Sequence, residues 1–323
     1  MWRFCARPFL SATALLANPE ARYGGATSDL GADMRIAMTW LFAGFGLFAL
    51  THRATAETAC PPGALGVSRI IEIDTTGAPW FGTPHGDPTF LAPGEVVLTF
   101  DDGPTPKYTR PILSALAAHC TKATFFMLGE MAAEYPGLVK EVAEQGHTIG
   151  THTWSHLNLK RLSDEQARAQ IESTFAVVEK AAGQPIAPFF RYPFLSESEP
   201  AIAYLRNRNV AQFAIDIDSF DWRTRNPQSV IARVMAGLER RGRGIILLHD
   251  IHASTAGAMP QLLMKLREKG YRIVHVRPKE PIHTLTDYQP PAKVASHEAR
   301  MRALRSPVRR TRYKSTILPL WSF

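Results

Sequence analysis

From Glu95 onward, short apolar runs alternate with stretches of helical period. Val96 to Phe100 is β-branched and aromatic and predicts a strand. Pro111 to Ala118 then places Ile112, Leu113, Leu116 and Ala117 on one helical face. Ala123 to Leu128 reads as the next strand, and a helix carrying Leu138, Val139 and Val142 stops at Gly146, a C-cap residue type. His147 to Thr151 is again strand-like. Ser163 with Gln166 three residues on is a capping box, and it opens a helix whose Ile171, Phe175 and Val178 form a stripe ending before Gly183. Phe189 to Tyr192 and Val210 to Ile217 are further strands, and Asn226 and Pro227 suit the N-cap and first turn of a helix that ends near Gly242. Gly244 to Leu248 predicts a strand, Met259 to Lys269 a helix closed by Gly270, and Tyr271 to Val276 a last strand. Seven strands alternating with helices over about 180 residues imply an α/β chain with a parallel sheet, closed as a barrel or open and doubly wound.

The positions of the ionisable residues bear on that choice. Asp101 and Asp102 follow the first strand, His152 and His156 the third, Arg191 ends the fourth, Asp218 and Asp221 follow the fifth, and His249 and Asp250 the sixth. Such residues at the carboxyl ends of five strands fit the functional face of a β/α barrel, whereas an open sheet gathers its ligands at one switch point. The expected fold is a distorted (β/α) barrel of about seven parallel strands with its site on the C-terminal face.

Two imidazoles four residues apart, His152 and His156, would share one face of a helical turn, and a third oxygen or nitrogen ligand would complete a hydrolytic metal site with an open position. The adjacent carboxylates Asp101 and Asp102 repel each other unless a cation holds one as ligand and leaves the other as base. Against this, most such histidine pairs are solvent-exposed, and Asp102-Gly103-Pro104 is also good turn chemistry.

Five segments in order give the chain a family likeness: Thr99 to Gly103, His152 to His156, Arg191 to Phe194, Asp218 to Trp222 and Leu247 to Asp250. Together they resemble the motifs of the polysaccharide deacetylases, the NodB-homology group known as carbohydrate esterase family 4. The resemblance implies a divalent metal, zinc first and cobalt second, on Asp102, His152 and His156. It implies Asp101 as general base oriented by Arg191, and His249 as general acid with Asp218 tuning its protonation. It also places the backbone N–H of Phe194 beside the developing oxyanion. Relatives often carry Tyr where this chain has Phe194. Trp222 suits a pocket wall against a sugar ring, and Asp221 reads equally well as a turn residue or a functional one. The reaction implied is hydrolysis of N-acetyl groups on a glycan of chitooligosaccharide, peptidoglycan or poly-N-acetylglucosamine type. O-deacetylation of a xylan and a non-catalytic glycan-binding barrel are the alternatives.

Composition changes the picture at the termini. With 45% apolar and 20% charged residues the chain can bury a core. Its net charge of +8 is concentrated beyond the predicted barrel, because residues 293–314 hold eight Lys or Arg and one acid, Glu298. Nucleic acid is therefore not expected as a partner. Residues 279–323 read as a basic flexible tail suited to weak electrostatic contact with an anionic envelope. Ile36 to Leu50 is an uncharged, mostly apolar run preceded by Arg35 and followed by Ala54-Thr55-Ala56, which together predict a signal peptide over 34–56. An uncleaved membrane anchor is the competing reading. Residues 1–33 then look like an over-extended start, 57–94 like an N-terminal extension, and 95–278 like the catalytic domain. Export would place Cys60 and Cys120 in an oxidising compartment where they can pair, and would direct the chain to a secreted or periplasmic location.

Overall fold

A computed structural model describes residues 60–288 apart from 87, 88 and 286. The expected signal peptide, the possible start at Met34 and nearly all of the basic tail lie outside the described residues. Among those described, no helix is long and apolar enough to cross a membrane.

The strands are β1 (Arg69–Ile73), β2 (Trp80–Phe81), β3 (Glu95–Asp101), β4 (Thr124–Met127), β5 (Thr148–Thr151), β6 (Phe189–Phe190), β7 (Ala211–Phe213), β8 (Ile217–Asp218), β9 (Gly244–His249) and β10 (Arg272–Pro278). The helices are α1 (Thr109–Ala118), α2 (Gly129–Glu134), α3 (Pro136–Glu144), α4 (Asp164–Ala182), α5 (Glu199–Asn207), α6 (Pro227–Arg241) and α7 (Ala253–Glu268). Parallel pairing runs β8, β9, β3, β4, β5, β6, β7, with β2 added beyond β7. The chain passes from β7 to β8 without pairing them, and a single antiparallel bridge from Thr83 to Ile215 spans that side. The ring is thus a distorted (β/α) barrel, as expected.

The expected number of strands is met by a different set. The run from 210 to 217 divides into β7 and β8, and β10 stands outside the ring. β10 meets β3 only through Arg272 and Ile273, pairs with β1 along its length, and reaches the start of β5, where the Thr148 hydroxyl donates to the Val276 carbonyl at 2.6 Å. Val274 and Val276 pack with Val97, Phe126, Phe189, Phe213 and Ile245 in the barrel interior, so β10 closes the N-terminal mouth. Residues 69–81, from the segment read as an extension, supply β1 and β2 to the same sheet.

A second and larger apolar layer lies between the strands and the surrounding helices, centred on residues such as Phe100, Phe125, Ile171, Phe175 and Leu262. The capping box at Ser163 and Gln166 is present in both directions, and Gly183 ends α4 in the left-handed conformation. Asn226 caps α6 through the Gln228 N–H. Cys60 and Cys120 form a disulfide with their Cα atoms 5.9 Å apart.

Candidate active site

Asp101 ends β3 and His249 ends β9, and the two are direct register partners on neighbouring strands. Beyond β3 the chain turns sharply. Asp102 takes φ 74° and the Gly103–Pro104 bond is cis. A Cβ on Gly103 would overlap the Asp250 carboxylate, so glycine is required there for the loop to lie flat on the end of β9. Asp250 is fully buried and accepts from the Thr109 hydroxyl at 2.6 Å, tying the loop to the start of α1.

His152 and His156 follow β5 on an irregular loop, which corrects the helical turn expected for them. Thr153 at φ 69° and His156 at φ 55° break any helical path. The loop is held by the N-terminus of α2, where the Gly129 and Glu130 N–H groups donate to the Thr153 and Trp154 carbonyls at 3.1 and 3.0 Å. Gly129 is needed because a Cβ there would lie 2.5 Å from the Trp154 ring. This bent path brings Asp102, His152 and His156 together, with one ligand-type atom from each inside a 4.8 Å sphere of mutual approach.

Three features suit this trio to a divalent cation. The Asp102 Oδ1 atom is buried with no hydrogen-bond partner among the described residues, and a buried acceptor left bare is costly unless an ion or proton meets it. It lies 3.6 Å from His152 Nε2 and 3.5 Å from His156 Nε2. Ligand atoms around a tetrahedral zinc are about 3.4 Å apart. Lastly, His152 Nδ1 donates to the Arg191 carbonyl at 2.7 Å, which leaves the Nε2 lone pair facing Asp102. Burial pushes the His152 ring down to about 3, so it stays neutral as a ligand must.

Asp101 sits on the other side of His152, 3.8 Å from its Nε2, and pairs with Arg191 at 2.7 Å. Arg191 is fully buried. It also donates to the Thr99 hydroxyl and to the Phe213 and Ala214 carbonyls, while its guanidinium lies 4.3 Å from the centroid of the Phe126 ring. Burial raises the Asp101 carboxyl above the ordinary range, and Arg191 pulls it back down. The carboxylate is thereby made more basic without losing its charge partner.

The expected partner of His249 was Asp218, and the structure gives that place to Asp221. The Asp221 Oδ1 atom lies 2.7 Å from His249 Nδ1. Its Oδ2 accepts from the His249 backbone N–H at 2.7 Å and from the Thr255 hydroxyl at 2.5 Å. Asp218 instead spends its carboxylate on the Phe220 N–H at 2.7 Å, a local turn bond. Phe220 then takes φ 49°, and the one-turn 3₁₀ helix 221–223 swings Asp221 under the imidazole. Burial disfavours the His249 cation, but the hydrogen bond and charge of Asp221 outweigh it and raise the ring to about 9. Asp221, His249 and His252 form a second cluster of ligand-type residues. Both Asp221 oxygens are already committed to protein donors, which leaves them poorly placed to ligate a metal.

Phe194 and Trp222 stand exposed on the rim, at 65% and 42% of full accessibility. Phe194 is left-handed at φ 59°, a strained conformation for an aromatic residue, and its ring meets His156 edge-on with centroids 4.5 Å apart. The Arg223 guanidinium covers the Trp222 ring at 4.3 Å.

Comparison with known proteins shows the family. The family model for polysaccharide deacetylase matches residues 91–213. A peptidoglycan-N-acetylglucosamine deacetylase of Bacillus cereus is 30% identical over 210 residues, covering 64% of this chain and 94% of that protein. The chain belongs to the polysaccharide deacetylase family. A peptidoglycan-N-acetylmuramic acid deacetylase of Bacillus subtilis is 35% identical over 58% of this chain, and that alignment spans only 39% of the relative. The solved peptidoglycan deacetylase of Bdellovibrio bacteriovorus superposes with a TM-score of 0.61 at 35% identity, covering 68% of this chain and 61% of that one. This polysaccharide deacetylase domain therefore corresponds to about two fifths of some larger relatives. Within it, the metal-type trio, the Asp101–Arg191 pair and the Asp221–His249 pair stand at the C-terminal ends of the strands or on the loops that follow them.

Proposed function

We propose that the protein is an exported, divalent-metal-dependent deacetylase that hydrolyses N-acetyl groups of an envelope glycan, with peptidoglycan the first candidate. The observation that carries this reading is the flanking of the Asp102–His152–His156 trio by a buried base paired to Arg191 and by a histidine held cationic by Asp221. Amide hydrolysis needs this combination, because one group must take a proton from water and another must give one to the departing amine. When bound, a divalent cation supplies Lewis acidity to the acyl oxygen and to the attacking water; the two-histidine, one-carboxylate set suits zinc or cobalt. Asp101 accepts the water proton through the oxygen not bound to Arg191. The Phe194 backbone N–H is the proposed donor to the oxyanion that forms as the carbonyl is attacked. His249 then protonates the nitrogen as the C–N bond breaks, leaving acetate and a free amine. Trp222 and Phe194 offer apolar faces to the sugar ring.

Export is supported by the apolar run before Ala54 and by the Cys60–Cys120 disulfide, a bond that persists in oxidising compartments. The glycan class is supported by the names of the relatives and by the open, aromatic rim.

The test is acetate release from peptidoglycan, chitooligosaccharides and acetylated xylan after chelation, with zinc or cobalt restored. Release from the N-acetyl substrates is expected only with metal. Asp102→Ala and His152→Ala should lose both bound metal and turnover while the barrel stays folded. Full metal occupancy with normal turnover in either variant, or release from xylan alone, would overturn the proposal.

A further inference from the structure

A cavity of about 690 Å³ opens at the opposite end of the barrel, where β5 and β6 begin and β10 passes. Its polar lining is Lys122, His147, Thr148, His275, Arg277 and Lys279, together with Gln184, and no Asp or Glu lines it. The volume lies in the range of sites that hold small molecules.

The C-terminus of α3 accounts for one of these cations. Lys122 Nζ donates to the Gln145 carbonyl at 2.5 Å and so caps α3. Arg277 has no such duty. It has no hydrogen bond or ion pair among the described residues, and its ladder neighbour Glu72 does not reach it. Lys279 touches Asp74 at 3.3 Å, a pair in which both side chains are more than half exposed.

The two histidines add a neutral donor. His147 Nδ1 accepts from the Ala123 N–H at 3.2 Å, so its proton resides on Nε2. The Thr148 hydroxyl donates to the Val276 carbonyl and therefore receives the proton of His275 Nε2, 2.8 Å away. Burial holds the two rings at about 3 and about 4, so neither adds charge.

Lys122 and Arg277, with Lys279 held only by an exposed pair to Asp74, leave an excess of positive charge around a cavity that no carboxylate lines, which favours a multivalent anion. A single carboxylate would match one of them, whereas a phosphate monoester brings about two charges, and consecutive phosphodiesters bring one charge each, with several acceptor oxygens in either case. We propose that this cavity binds a phosphate group, carried by a small phosphorylated molecule or by a phosphodiester polymer. The site is remote from Asp102, so it stands or falls independently of the acetyl chemistry.

The experiment titrates the full-length protein with inorganic phosphate, pyrophosphate and a short glycerol-phosphate oligomer, following the imidazole NMR signals of His147 and His275. Saturable shifts at both rings are expected. The double variant Arg277→Gln with Lys279→Gln alters exposed side chains and should weaken binding at least roughly tenfold, because charge-assisted hydrogen bonds are lost. Acetate release from a small soluble acetylated oligosaccharide should not change. Binding by the oligomer alone assigns a polymer, and binding by the small anions assigns a metabolite; either supports the site. Absence of shifts at both rings with all three probes, or affinity unaffected by the double substitution, would overturn it, the second result placing the anion elsewhere on the chain.

Discussion

The division of labour between Asp218 and Asp221 is decided by where each carboxylate's hydrogen bonds go. Asp218 satisfies a backbone N–H two residues on, and Asp221 is left to hold His249 from below. In the metal-free protein an NMR titration should find His249 near 9 in the parent and in Asp218→Asn, and well below that in Asp221→Asn, where burial is no longer outweighed by the Asp221 carboxylate. Because the folded-state value is raised, the stability this pair contributes is complete below about pH 6.5 and is lost as pH rises through about 9. The alkaline limb of the rate profile should move to lower pH in Asp221→Asn for the same reason. A His249 value that falls in Asp218→Asn and persists in Asp221→Asn would reverse the assignment. The sequence held a signal for this outcome, since Asp218-Ser219-Phe220 has the spacing of a local side-chain turn, which removes Asp218 from other duties. The trio Asp102, His152 and His156 was legible because each lies just past a strand. Their positive φ values were not, because only tertiary contacts such as Gly129 against Trp154 impose them.

At the scale of elements, legibility followed local chemistry. The longer strands and the capped helices α4 and α6 agree with apolar periodicity and cap residues, which act within a few positions of sequence. Helix α5 is poorly marked in the sequence although Pro200 in its first turn is a start signal, since its apolar stripe is short. The apolar run of β10 looks like that of any ring strand. Its place beneath the ring depends on pairing with β1, more than 200 residues earlier in the chain. The capping box offers a clean measurement at this scale. Ser163→Ala removes the acceptor for the Gln166 N–H at the exposed start of α4, and should cost about 1 kcal/mol, read as a lower urea midpoint. Turnover should be unchanged, because α4 packs on the outer face of the sheet. An unchanged midpoint would mean that tertiary packing alone sets the start of this helix.

Across the whole molecule, chemistry and closure occupy opposite ends of the barrel. The carboxyl ends of β3, β5, β6, β8 and β9 and the loops that follow them carry the ionisable site. The N-terminal end is closed by β10 and β1 and stapled by Cys60–Cys120 before β4. The separation predicts that stability and turnover can be altered independently. The disulfide joins residues 60 apart in sequence, and a loop of that length is worth about 4 kcal/mol by the chain-entropy account. Cys60→Ser with Cys120→Ser should therefore unfold at a lower denaturant concentration, with a loss of up to about 4 kcal/mol. Reductant should lower the parent toward the same midpoint and leave the double variant where it is. Below its unfolding transition the variant should still release acetate at close to the parental rate, because no site residue is bonded to the segment around Cys120. A variant that unfolds at the parental midpoint would show that the staple constrains a segment already fixed by β1. One that keeps its midpoint and loses turnover would mean that the two ends of the barrel are coupled through the interior layer of Val97, Phe126 and Ile245.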